Sequence, residues 1–242
     1  MNQFSRTQLL LGKEAIQTLR QAKVAVFGIG GVGGYVCEAL VRSGVGHFVL
    51  VDSDLVSVTN LNRQIIASWD TVGRPKTEVM AERMKSINPD VEAEVRNCFY
   101  LPENADSFDF SSYSYVVDAV DTVAAKIEII LRAQKAGVPV ISSMGAGNHL
   151  DPEAFHVADL YQTRMCPLAK VMRRELKKRG VEKLKVVYSE ESPLTPCMDA
   201  LEGDGREELP PGKRSLPGSI SYAPSIAGLL IRAQVIRDLT GR

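Results

Sequence analysis

The four cysteines of this 242-residue chain, Cys37, Cys98, Cys166 and Cys197, include no C-x-x-C pair. Closed structural zinc sites use that spacing, so a cysteine-held zinc is not expected. An excess of one charge is lacking too, because 29 Lys and Arg balance 29 Asp and Glu. A general positive field is thereby excluded, and any nucleic-acid partner must be held by a local basic patch. Long apolar runs are missing. The longest near the C-terminus, Ile226 to Ile231, is far short of the roughly 20 residues that span a bilayer. The N-terminus, MNQFSRTQLLLGKEAIQ, has no basic start followed by an apolar core, so no secretory signal is read there. Scattered cysteines without an export signal are most simply reduced thiols, and the expected address is the cytoplasm, with no membrane partner. Internal repeats and low-complexity tracts are absent as well.

What is present is alternation. Apolar strands are expected at Lys23–Phe27, His47–Val51, Val91–Val95, Tyr115–Ala119 and Val138–Ser142. Helical spacing is expected at Gly31–Ser43, Lys76–Ile87 and Ala124–Ala136. Strands alternating with helices predict an α/β fold, a Rossmann-like doubly wound and mostly parallel sheet with helices on both faces. After Gly147 the rhythm changes to weak strands at Phe155–Asp159 and Leu184–Tyr188, a helix at Pro167–Arg179 and a closing helix at Pro224–Leu239. Between these, 190–219 is rich in Pro, Gly and charge and reads as a long mobile loop. The expectation is a single domain over 1–242, with a nucleotide-binding core in 1–150 and a C-terminal extension in 151–242.

The stretch "VFGIGGVGG" (26–34) places Gly28, Gly30 and Gly33 in G-x-G-x-x-G between a strand and a helix. Such a turn lets backbone approach a phosphate, and the helix N-terminus adds N–H groups and partial positive charge. Asp52 lies 19 residues past Gly33 at the end of the next strand, the usual place of a ribose-binding acid. On these features alone the ligand reads as NAD.

The next stretch changes the balance. In "VDSDLVSVTNLNRQ" (51–64) and "VGRPK" (72–76), the acids Asp52 and Asp54 are followed closely by Asn60, Arg63, Gln64, Arg74 and Lys76. A triphosphate carries about four negative charges and calls for such cations, usually with a divalent metal. Arg63 can grip phosphate oxygens with its planar fork, and Lys76 can act as a mobile point charge. Asp118 and Asp121 fall at the end of the Tyr115–Ala119 strand, on the side where the ligand crevice forms, and a carboxylate there is placed to hold Mg²⁺. Each residue alone has a bland reading as a surface charge, cap or turn; the ordered set does not.

From Arg164 to Lys185 nine basic residues face only Glu175 and Glu182. Leu168, Val171, Met172 and Leu176 can face the core, leaving Lys170, Arg173, Arg174, Lys177 and Lys178 outward as a candidate phosphate-backbone surface. Cys197, in "SPLTPCMDALEG", is the one tempting nucleophile, yet no histidine is near it in sequence, and such a cysteine is more often incidental.

These motifs together resemble the ThiF/MoeB/HesA family of adenylating enzymes, related to the ubiquitin-activating enzymes. The shared wording is "GIGGVG", "VDSDLVSVTNLNRQ", "VGRPKTEVMAERMKSINP" and "VDAVDT", over roughly 4–147. Members bind ATP and Mg²⁺ and join AMP to a substrate carboxylate. The resemblance implies that Gly31 lies against the ATP phosphates, that Asp52 binds the ribose, that Asn60, Arg63 and Lys76 contact phosphates, and that Asp121 is the metal ligand. Arg6, in "FSRTQLLLG", matches an arginine that reaches into the partner subunit's site, which implies a homodimer. The segment 159–193 resembles the branch that activates the carboxylate of a threonylcarbamoyl-modified adenosine beside the tRNA anticodon, which implies tRNA as a partner; Cys166 stands where "DPLA" carries an acid.

Under that resemblance the carboxylate attacks the α-phosphate, with Arg63, Lys76 and Arg6 stabilising the charge. A group of the same nucleotide then closes the ring, with no protein nucleophile needed. The alternatives are activation of a ubiquitin-like sulfur carrier, an NAD-dependent oxidoreductase, and a non-catalytic scaffold. A sulfur-transfer protein is a further candidate partner.

Overall fold

The structure, a computed structural model, describes residues 2–197 and 217–242. Two helices that the sequence reading did not anticipate, α1 (Ser5–Leu11) and α2 (Lys13–Gln21), precede the first strand. Strand β1 (Lys23–Phe27) alternates between two cores, with Val24 and Val26 on one side and Ala25 and Phe27 on the other. After helix α3 (Gly33–Ser43), β2 (His47–Val51) repeats the pattern, Phe48 and Leu50 opposite Val49 and Val51. Apolar residues at nearly every position mark strands covered on both faces.

Helix α4 (Lys76–Ile87), β3 (Glu92–Arg96), β4 (Tyr115–Asp118), α5 (Val123–Lys135) and β5 (Val140–Ser143) follow, then β6 (Phe155–Asp159), α6 (Pro167–Lys177), β7 (Lys185–Ser189) and α7 (Tyr222–Thr240). One seven-stranded sheet runs β3-β2-β1-β4-β5-β7-β6. All pairings are parallel except β6 with β7. The first face packs Leu40 of α3, Met80 and Met84 of α4, and Ile231 and Val235 of α7. The second face packs Ile129 and Ala133 of α5, and beside them Met172 and Leu176 of α6. The α/β doubly wound expectation holds.

Element edges move for local reasons. Helix α3 begins at Gly33 rather than Gly31, because the preceding residues form the turn itself. Helix α6 stops at Lys177 rather than Arg179, just before Gly180 in the left-handed region at φ +76°. Of the stretch expected as a loop, 198–216 lies outside the described residues. On either side of that gap the chain is tied down: Leu194 N–H donates to the Asn148 carbonyl, and Gly218 N–H to Asn148 Oδ1. The strand order reverses between β1 and its neighbours β2 and β4, so a crevice opens at the carboxyl ends of these strands.

Candidate active site

A cleft of about 1020 Å³ occupies that crevice. Its floor is the glycine turn. Gly28 has φ +88°, and a Cβ there would lie 2.6 Å from the Ala119 carbonyl oxygen. A Cβ on Gly33 would lie 1.8 Å from the Gly28 oxygen, so both positions are glycine for the sake of the fold. Gly30 differs: the nearest atom to a Cβ there is Gln64 Nε2 at 3.9 Å. Space, not packing, explains glycine at that position, and the space belongs to the cleft.

Asp52 follows β2 and holds two loops at once. Its Oδ2 accepts from Ile29 N–H at 2.6 Å and its Oδ1 from Asp54 N–H at 2.8 Å. Burial pushes its carboxyl above the usual carboxylate range, more than Lys76 and the two N–H donors pull it down. Asp54 Oδ2 accepts from Lys76 Nζ at 2.7 Å, and the Lys76 side chain is only 7 % exposed. The short bridge between Leu55 and Pro75 fixes this pairing by laying the two segments side by side. Arg63 donates through Nη1 to the Thr59 carbonyl at 2.8 Å and to Asn62 Oδ1 at 2.9 Å. No carboxylate pairs with it among the described residues, and burial lowers its pKa, as for a cation awaiting a counter-charge. Asn60 spends its Oδ1 on Ser57 N–H, which leaves Nδ2 as the donor end.

Gly28, Gly30, Gly31, Asp52, Asp54, Asn60, Arg63, Gln64, Lys76 and Asp121 all line the cleft. Gly33 lies beneath the turn. Arg74, grouped with the cations in sequence, is instead exposed toward Glu82 and does not line the cleft. Asp118, read as a possible metal carboxylate, is a correction. It is fully buried and accepts from Lys126 Nζ at 3.0 Å and Ser142 Oγ at 2.5 Å. Lys126 also donates to the Ser143 carbonyl at 2.7 Å, so this pair braces the turn after β4 against the end of β5. Among the described residues no three His, Cys, Asp or Glu gather at metal-ligand spacing. Mg²⁺ is usually held by one or two carboxylates with phosphates and water, a demand that Asp121, with Asp52 and Asp54 in the same cleft, fits. Arg6 stands exposed on α1 and is not among the lining residues.

The opposite wall was not foreseen. It is made by Gly145–His149, the start of α6, Pro193 and Pro217–Ser219. Cys166 is the N-cap of α6, its Sγ accepting from Ala169 N–H at 3.5 Å, the place an acid would occupy in a capping role. Basic residues of α6 run away from the cleft. Lys170 and Lys177 are exposed, Arg174 and Lys178 gather with Arg179 around Glu175, and Arg173 turns back on Thr163. Those three cations hold the Glu175 carboxyl at about 2.

Three buried polar atoms have no hydrogen-bond partner among the described residues: Gln64 Oε1, Tyr100 hydroxyl and His149 Nδ1. All three residues line this one cleft. A buried orphan costs about 1–3 kcal/mol; Glu191 Oε2 lies 3.4 Å from His149 Nδ1, whereas Gln64 and Tyr100 mark where a ligand supplies the missing partners. Tyr100 and His149 carry no motif, so sequence offered no signal for them.

The model of the ThiF family matches residues 4–242. The chain belongs to the ThiF family. Among its relatives, the tRNA threonylcarbamoyladenosine dehydratase of Bacillus subtilis is 43 % identical over 99 % of this chain and 95 % of its own length. The crystal structure of the Escherichia coli tRNA N6-threonylcarbamoyladenosine dehydratase with AMP superposes with a TM-score of 0.87 at 35 % identity, covering 99 % of this chain and 94 % of that one. The same enzyme with ATP gives a TM-score of 0.87 at 33 % identity, with the same coverage. The ThiF frame thus extends past the motif-bearing half to the C-terminal helix.

Proposed function

We propose that this chain is an ATP-dependent enzyme of tRNA. It joins AMP to the carboxylate of threonylcarbamoyladenosine and closes that group into a ring with net loss of water. The observation that carries the reading is the convergence of Asp52, the Asp54–Lys76 pair and Arg63 around the glycine turn in one cleft.

In the first step a carboxylate oxygen attacks the α-phosphorus, and the bond to pyrophosphate breaks. Asp52 accepts from the ribose hydroxyls, Gly30 and Gly31 let the backbone meet the phosphates, and Asn60, Arg63, Gln64 and Lys76 bind and stabilise the charge that grows there. Lys76 arrives already aimed, because Asp54 holds it. Asp121 is the residue that would hold Mg²⁺, which supplies neutralisation of the departing pyrophosphate.

Arg6 acts from a second copy. Helix α1 has no buried residue, and Leu9 and Leu10 are 85 % and 83 % exposed, the pattern of a surface that a partner subunit covers. The tRNA lies along α6, with Lys170, Arg174, Lys177 and Lys178 toward phosphates and the modified base at the helix's start, in the cleft; Arg173 holds the helix to Thr163. Residues 1–242 act as one adenylating unit, with the ATP core in 1–150 and the substrate side in 151–242. Action on tRNA places the protein in the cytoplasm; among the described residues no helix is long and apolar enough to cross a membrane.

The test is ATP consumption with tRNA bearing threonylcarbamoyladenosine, following AMP and the mass of the nucleoside. AMP release with loss of one water from the nucleoside is the expected result. AMP formed only when a carrier protein is supplied, with the nucleoside unchanged, overturns it.

A further inference from the structure

His149 lines the same cleft as Arg63 and Lys76, and neither the motifs nor the adenylation step uses it. Its side chain is 3 % exposed and packs edge-on against Phe155, ring centroids 5.7 Å apart. Its Nδ1 faces Glu191 Oε2 at 3.4 Å and has no closer hydrogen-bond partner among the described residues. That carboxylate oxygen is fixed, because it accepts from both Leu150 N–H and Asp151 N–H at 2.9 Å. The backbone on either side is fixed too. Asn148 is in the left-handed region at φ +63°, exchanges two hydrogen bonds with Gly218 and accepts a third from Leu194 N–H. A buried imidazole against an anchored carboxylate, on the rim of a reaction cleft, is the arrangement of a base backed by an orienting acid.

The ring-closing half of the reaction requires such a base. Once the carboxylate is adenylated, the carbamoyl group attached to it attacks the acyl carbon. A bond forms from that group to the carbon, the bond from the carbon to the AMP oxygen breaks, and its electron pair leaves with AMP. The attacking group is an amide-type nitrogen–carbonyl unit, and closure leaves it with one N–H proton too many. Arg63 and Lys76 already serve the phosphates in the adenylation step, and His149, backed by the Glu191 carboxylate, lines the same cleft.

We propose that His149 is a catalytic residue of the second half-reaction, accepting the proton released on ring closure, with Glu191 as the positioning residue that stabilises the imidazolium formed. The assignment rests on the dehydratase reading above. Burial pushes the His149 pKa down against the pull of Glu191, which favours the neutral imidazole, the form that accepts a proton.

The experiment separates the half-reactions. Adenylation is read as tRNA-dependent exchange of labelled pyrophosphate into ATP, and closure as single-turnover loss of water from the nucleoside. For His149→Ala, closure is expected to slow about 10²–10⁴-fold, with exchange falling at least 100-fold less than closure and added imidazole restoring part of closure. Glu191→Gln keeps an oxygen for the two N–H donors and removes the charge, and closure is expected to fall about tenfold in the same selective way. Closure unchanged in both variants, or exchange and closure falling together without imidazole rescue, overturns the assignment and leaves His149 as a wall residue. Wild-type protein that shows no closure overturns the dehydratase reading itself, and this assignment with it.

Discussion

Asp52 and Asp118 close the two strands that flank β1, and the regions they begin have opposite fates. The turn after β2 gives its charges to the cleft: Asp52 is held by two backbone N–H groups, Asp54 holds Lys76, and Arg63 has no carboxylate partner among the described residues. The turn after β4 seals its first acid away, with Asp118, Lys126 and Ser142 all fully buried and bonded to each other. The difference shows that a charge at the carboxyl end of a strand is not by itself a ligand group. Each region receives a lysine from the helix that follows, Lys76 of α4 and Lys126 of α5. What decides is whether the acid is sealed with its lysine, as Asp118 is, or stays open to the cleft, as Asp54 is at 64 % exposure.

The largest effect should come from breaking the sealed pair. Lys126→Met leaves Asp118 buried and uncompensated, a loss of about 3–5 kcal/mol. Thermal or urea unfolding checks this, and Asp118→Leu combined with Lys126→Met should recover most of the loss. If the single variant melts like wild type, water or another cation reaches Asp118 and the contrast with Asp52 is void.

Next comes the open region. Lys76→Met removes a preformed donor to the transition-state charge, and adenylation should slow about 10²–10³-fold, or about 2.7–4 kcal/mol. Unfolding should move far less than for Lys126→Met, because Asp54 is exposed and can turn to solvent. Equal damage to rate and stability would make Lys76 a structural lysine like Lys126.

The contrast also marks how far sequence could be read. The glycine turn, Asp52 and the cations of 60–76 were legible because they lie in contiguous stretches, where each residue's type states its chemistry. Asp118 was misread, since its partner lies on α5 and nothing in the spacing says that the lysine folds back. Helix α2 was legible in principle, since Ala15, Ile16 and Leu19 recur at helical spacing and Ala15 and Leu19 are buried, but its nine residues lie ahead of the glycine turn and were passed over. The second wall was invisible. Its order comes from pairings such as Asn148 with Gly218, 70 positions apart, and from the edge-on contact of His149 with Phe155, which no local pattern announces. The same limit applies to α6, where residue type gave five outward cations and the fold turns Arg173 inward.

Helix α6 offers a smaller test of the rule that paired charges are spent. Lys170 and Lys177 are exposed and have no carboxylate partner among the described residues, whereas Arg174 and Lys178 share Glu175. Lys170→Ala and Lys177→Ala should each weaken tRNA binding and reduce its salt slope by about 1. Arg174→Ala should do less, because it also releases Glu175 from one of its cations. An equal loss from Arg174→Ala would mean that tRNA reorganises the cluster.

The smallest effect is the most direct comparison of burial with charge. Burial holds the Asp52 pKa above its ordinary value even though Lys76 and two N–H donors favour the anion. The unfolded chain therefore ionises first as pH rises. The stability this group contributes is complete below its unfolded pKa near 3.8 and is lost as pH climbs through the raised value. Asp52→Asn has no such titration. In the absence of nucleotide, the variant should gain stability relative to wild type as pH rises across that window, while its affinity for ATP falls. Melting both proteins between acid and neutral pH reads the sign. A wild type that gains on the variant instead would mean that Lys76 outweighs burial. Asp52 would then be a braced acid like Asp118, and ATP would have to break an ion pair to enter.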